Sequence, residues 1–195
     1  MNNKEFIKYV KQECKKHNIK CVLKNTKSLK LNNNIKCSGY FDEENLVVAM
    51  KHPDAIQILV HEYGHLTQWE DQCPIWIECG KNKSLEKLEM WLNGDKISNI
   101  KKHISLCRSL ELDNEKRSVK LIQKFNLKIN TGEYIKKANA YIQFYNYLTI
   151  SRKWGMPKNA PYTNKLISKL MPNTFSMNYN TLSKKMYRIF EEQKV

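Results

Sequence analysis

The chain has 195 residues, 41% of them hydrophobic, and a formal net charge of +15. This is enough apolar material for one compact domain and short of what two full domains need. No apolar run approaches the roughly 18 residues of a membrane span, and no N-terminal stretch has the pattern of a signal peptide, so a soluble, cytoplasmic protein without a membrane partner is expected.

The positive charge raises the question of nucleic acid, because clustered cations gain affinity by releasing counterions from phosphates. Of the 34 basic residues only Arg108, Arg117, Arg152 and Arg188 are arginine, the side chain with the fork that suits phosphates and base edges. The lysines are spread along the whole chain, which favours a solvated surface over a dedicated groove. Six cysteines (Cys14, Cys21, Cys37, Cys73, Cys79, Cys107) are dispersed without a CxxC pair and read as reduced, mostly buried thiols.

In chain order, residues 4 to 17 place Phe6, Ile7, Val10 and Cys14 on one side of an amphipathic helix. Residues 19 to 50 hold β-rich apolar runs, with "DEEN" as a hairpin turn, and predict a small sheet of about three strands. "NLVVAM" is expected at its edge. His52-Pro53-Asp54 opens a helix over 53 to 69, since proline is tolerated in a first turn and a carboxylate there suits the helix dipole. "DQCPIWIECGKNK" reads as a loop or flap because of Pro74 and Gly80, and Ser84 as the N-cap of a short helix ended by Asn93-Gly94.

Residues 95 to 125 are helical. Ile97, Ile100, Ile104, Cys107, Glu111, Glu115, Ser118, Ile122 and Phe125 recur every three or four positions, so two carboxylates interrupt an otherwise apolar or small stripe. Asp113 falls on the opposite side and is expected to face water. Thr131 caps a further helix with Tyr134, Ala138, Tyr141, Tyr145 and Leu148 on one side. Residues 155 to 195 form a C-terminal helical extension that begins with a proline-containing loop. The fold class is α+β and mostly helical.

The helix over 53 to 69 carries "HEYGH". Residues four apart stack one turn apart, so His61 and His65 can offer two imidazoles to one metal while Glu62 points at the open coordination position. From composition, chance predicts about 0.01 such motifs in a chain with five histidines. Gly64 costs helix stability and so calls for a reason, of which close approach of another backbone is the obvious one. Zinc suits two imidazoles and a carboxylate.

A third ligand is needed. Gln68 and Asp71 occupy the positions where a metzincin has glycine and histidine, and Cys73, Glu78 and Cys79 lie in the irregular stretch. Glu111 is the best candidate, because a carboxylate facing a core is costly unless a cation is its partner. Glu115, one turn later, fits a supporting role as hydrogen-bond acceptor from a ligating histidine.

"HEYGH" followed by "ELDNEKR" resembles the glutamate-ligated zinc peptidases, and "HEYGHLTQW", "ELDNEKRSV" and "KANAYIQFYNY" are similar to compact metallopeptidase-like proteins of large DNA phages. The likeness covers about residues 45 to 155. It implies a minimal zincin-like fold with the small sheet packed on the active-site helix, and a place in the host cytoplasm or the virion. The family's second motif commonly ends in Asp where this chain has Glu115.

The expected function is a zinc-dependent peptidase acting on a peptide or protein substrate. His61, His65 and Glu111 hold Zn2+, and Glu62 takes a proton from the attacking water and passes it to the departing amine. Tyr141, Tyr145 and His103 are candidate oxyanion donors, with core packing the preferred reading of the tyrosines. Trp69, Trp76 and Trp91 could wall a cleft. The alternatives are a non-catalytic, zinc-stabilised viral structural or interaction protein and a basic nucleic-acid-binding module.

Overall fold

The computed structural model describes residues 2–30, 36–154 and 160–195. The start of the proline-containing loop, residues 155–159, lies outside them. The architecture is α+β and mostly helical: α1 (Asn3–Lys16), β1 (Lys20–Lys24), β2 (Leu29–Lys30), β3 (Lys36–Cys37), β4 (Gly39–Phe41), β5 (Asn45–Ala49), α2 (Ala55–Glu70), α3 (Pro74–Lys81), α4 (Ser84–Leu92), α5 (Ile100–Lys124), α6 (Thr131–Ser151), α7 (Lys165–Lys169) and α8 (Lys184–Glu192). No described helix is long and apolar enough to cross a membrane.

The chain divides into two compact units, one of residues 1–72 with 114–129, the other of residues 73–113 with 130–195. The first contains the sheet. Helix α1 starts in a capping box, in which the Asn2 side chain accepts from Glu5 N and Glu5 reaches back to Asn2 N, and it buries Phe6, Val10 and Cys14. Phe6 meets Tyr63 of α2 edge-on and Phe125, just past α5, at 5.3 Å between ring centres.

The three-stranded sheet has the order β1-β5-β4, with β1 parallel and β4 antiparallel to β5. Strand β5 is therefore central, which corrects the edge position expected for "NLVVAM". Its residues Leu46, Val47, Val48 and Ala49 are all buried, as befits a strand covered on both faces. The β4–β5 turn falls at the expected "DEEN", where Asp42 accepts from the backbone N–H groups of Glu44 and Asn45 and Glu43 is left-handed. Helix α2 packs on β4 and β5.

The second unit is helical. Its core gathers Ile104, Cys107, Leu110, Ala140, Phe144, Tyr145, Leu148, Ile167 and Phe190, with Trp76 and Trp91 packed partly against it. The stretch expected as a loop or flap contains α3. Pro74 stands in its first turn, where the missing N–H is no loss, so the proline starts this helix and does not break it. Ser84 is not a cap: left-handed Lys83 precedes α4, and the Ser84 hydroxyl lies 3.2 Å from His103 Nδ1. Likewise Asn130, and not Thr131, caps α6 by accepting from Glu133 N. Helix α5 begins at Ile100, after left-handed Asn99, five residues later than the periodicity suggests.

Candidate metal centre

Helix α2 buries Leu59, Val60, Tyr63 and Leu66 and so holds His61 and His65 at half-buried positions on its flank. Their rings sit 4.8 Å apart between centres and nearly perpendicular. Each ring has a partner on Nδ1. Glu115 Oε1 lies 3.2 Å from His61 Nδ1, and Gln68 Oε1 lies 2.8 Å from His65 Nδ1. The Asn114 amide Nδ2, a donor, lies at the same 3.2 Å from His61 Nδ1, so this nitrogen meets an acceptor and a donor together. Both rings are held in place by partners on Nδ1, as outer partners hold metal-binding histidines.

Helix α5 supplies the rest. Of the predicted stripe, Ile104, Cys107, Glu111, Glu115, Ser118, Ile122 and Phe125 are buried. Glu111 stands one turn before Glu115 on the same unbroken helix, and ligand atoms of His61, His65 and Glu111 all lie within 4.8 Å of one another. Two imidazole nitrogens and one carboxylate oxygen form a donor set that could hold a metal ion. Cys73, Glu78 and Cys79 are not in this group. Cys73 instead contacts Asp113, which is partly buried and does not face open water as the sequence suggests.

Glu62 is 6% exposed and points under the sheet, where a Cβ at Gly39 of β4 would come within 2.7 Å of its Oε1. Gly39 thus makes room for the carboxylate, a requirement that the sequence alone does not reveal. The Cys37 thiol nearby is pushed up to about 11, by burial first and by the Glu62 charge second.

Two residues to which the sequence reading gives no part in the site stand beside the histidines. Gln68 is one. Asn114 is the other: it is fully buried, its Nδ2 donates to the His61 carbonyl at 3.1 Å and lies 3.2 Å from His61 Nδ1. The reason for Gly64 also differs from the expected one. A Cβ there would collide with the Asn114 side-chain oxygen, so a side chain and not a backbone fills the notch.

Of the candidate oxyanion donors, Tyr141 and Tyr145 form a phenol pair with oxygens 3.2 Å apart. Burial and then the charge of Glu111 hold both phenols well above their ordinary range, so both stay protonated donors. Tyr145 is core, and Tyr141 is half-buried. His103 is buried against Ser84. Trp69 packs on Phe41 and His17. No known family model, curated protein or solved structure matches this chain.

Proposed function

We propose that the chain is a metal-dependent peptidase with a zincin-like arrangement, in which His61, His65 and Glu111 hold a zinc ion. The observation that carries this reading is the convergence of those three ligand groups beside a buried glutamate, Glu62, that is not one of them. A purely structural metal site has no use for that extra carboxylate.

When bound, the dication supplies Lewis acidity toward a carbonyl oxygen and toward water. Glu62 accepts the proton of the attacking water and delivers it to the departing amine. Glu115 and Gln68 hold the two imidazole rings in place through their Nδ1 atoms. Tyr141, half-buried and kept protonated by burial and the Glu111 charge, is the candidate donor to a developing oxyanion.

A peptide is the favoured substrate because β4 is the outer strand of the three-stranded sheet and Gly39 of that strand lies against Glu62. An extended backbone pairing with β4 would run past the general base. The test is hydrolysis of a mixed peptide library by zinc-loaded protein beside Glu62→Gln. Turnover that falls about 10²- to 10⁴-fold in the variant, with zinc content unchanged, supports the reading. Absence of cleavage by fully loaded wild-type protein would favour a non-catalytic metal protein.

A further inference from the structure

Gly64 and Asn114 form a matched pair with a function of its own. The side-chain amide of Asn114 is completely buried and hydrogen-bonds the backbone carbonyl of His61, while its oxygen occupies the space where any other residue at 64 would carry a Cβ. In this orientation Nδ2 donates to the His61 carbonyl at 3.1 Å, whereas the reverse would set two acceptor oxygens face to face there. In the orientation adopted, Asn114 Oδ1 and the neighbouring Ser118 Oγ have no hydrogen-bond partner among the described residues. A buried acceptor without a donor is a penalty, and it is tolerated where placing the other end of the group matters more. What the other end touches is the residue that begins the metal motif.

Resting on the metal-site reading above, we propose that Asn114 is a positioning residue for His61. Seated in the notch left by Gly64, its amide fixes the separation and rotation of α2 against α5 so that the His61 ring meets both Glu115 and the metal. The two helices have no freedom to slide at this level. Sliding would drive Oδ1 into the Gly64 backbone or pull Nδ2 off the His61 carbonyl. Asn is the side chain for the task because it is short and carries a donor, whereas Asp at 114 would bring a second acceptor to the carbonyl.

The proposal makes a prediction opposite to that of helix propensity. Alanine is the better helix former, so Gly64→Ala should stabilise α2 if nothing occupies the notch. The notch predicts instead that Gly64→Ala lowers the melting temperature of the metal-free protein and weakens zinc binding 10- to 100-fold, the range for loss of an outer partner. Asn114→Ala should weaken zinc by a similar factor. In the Asn114→Ala background the sign reverses, and adding Gly64→Ala should raise the melting temperature because the space is now empty. Zinc affinity is read by competition with a chromophoric chelator, and the visible spectrum of the cobalt(II)-loaded protein reports the geometry at the metal, which a merely stabilising residue would leave unchanged.

Sign reversal in the melts together with an altered cobalt spectrum in Asn114→Ala supports the proposal. Stabilisation by Gly64→Ala alone, or wild-type zinc affinity and cobalt spectrum in Asn114→Ala, overturns it. Should the wild-type chain bind neither zinc nor cobalt, the metal-site reading fails by itself, while the melting temperatures of the four metal-free proteins still decide whether the notch exists.

Discussion

Two helices of this protein carry rows of buried polar side chains, and the rows are built on opposite principles. On α6, Asn139, Gln143 and Asn146 are at most 7% exposed, and their amide groups are satisfied throughout. Asn139 donates to the carbonyls of Pro172 and Thr174 and accepts from the Tyr179 hydroxyl. Gln143 donates to Asn178 O, and Asn146 donates to Gln143 Oε1 and Tyr179 O while accepting from the Arg108 guanidinium. The row clasps the irregular stretch 172–180. On α5, Glu111, Asn114, Glu115 and Ser118 are equally buried, yet Asn114 Oδ1, Glu115 Oε2 and Ser118 Oγ lack hydrogen-bond partners among the described residues. A closed polar network makes structure, whereas the incomplete one stands beside the two imidazoles proposed to hold a metal.

The sharpest way to break this comparison is to remove one member from each row and ask what is lost. Glu111→Ala should reduce zinc affinity by more than the roughly 10- to 100-fold typical of an outer partner. Its effect on the stability of the metal-free protein should be small beside its effect on zinc affinity. Asn146→Ala should do the reverse. It strips an acceptor from Arg108 Nη1 and a donor from Gln143 Oε1, both buried bonds, at about 1–3 kcal/mol apiece. Equilibrium unfolding should show that loss, and zinc affinity should not move. If Asn146→Ala weakened zinc as much as Glu111→Ala, the two rows would not be distinct.

Within the α5 row the outer partners should be graded by charge. Glu115→Gln keeps the shape but replaces an ionic acceptor on His61 by a neutral one, and zinc affinity should fall by about 10- to 100-fold. Gln68→Ala removes a neutral bond to His65, worth about 0.5–1.5 kcal/mol, and should cost roughly tenfold or less. Chelator competition on both variants checks the order. Equal losses would mean that the carboxylate contributes nothing through its charge.

The clustering of His61, His65 and Glu111 was legible because their spacing is a helix property. His61 with His65, and Glu111 with Glu115, each stand four apart, and Glu111 and Glu115 interrupt an apolar stripe. Gln68 and Asn114 were not legible, since a polar residue in a helix normally faces water and nothing local says otherwise. Gly39 could be found only once β4 was laid on α2. Elsewhere a signal was present and misread. Pro74 suits the first turn of a helix as well as a loop, and the unbroken run Leu46 to Ala49 is the mark of a strand buried on both faces and not of an edge. The α6 amide row was hidden for a further reason: its partners are carbonyls of a stretch without regular structure, which no periodicity announces.

His103 provides the smallest effect and a last check on which polar groups are structural. It was a candidate oxyanion donor, but its ring is buried with Nδ1 3.2 Å from the Ser84 hydroxyl. Burial, and then the charges of Lys87 and Lys102, hold its pKa below the ordinary histidine value. The folded protein therefore resists protonating it, while the unfolded chain takes up the proton near pH 6.5. Its contribution to stability is complete above that value and is lost as the pH falls below it toward the depressed folded value. Thermal melts of metal-free protein from pH 7.5 to 5 should show a decline that is shallower in His103→Gln. A variant whose melts follow the wild-type slope, but whose peptide hydrolysis changes its pH profile, would move His103 out of the structural set and into the reacting one.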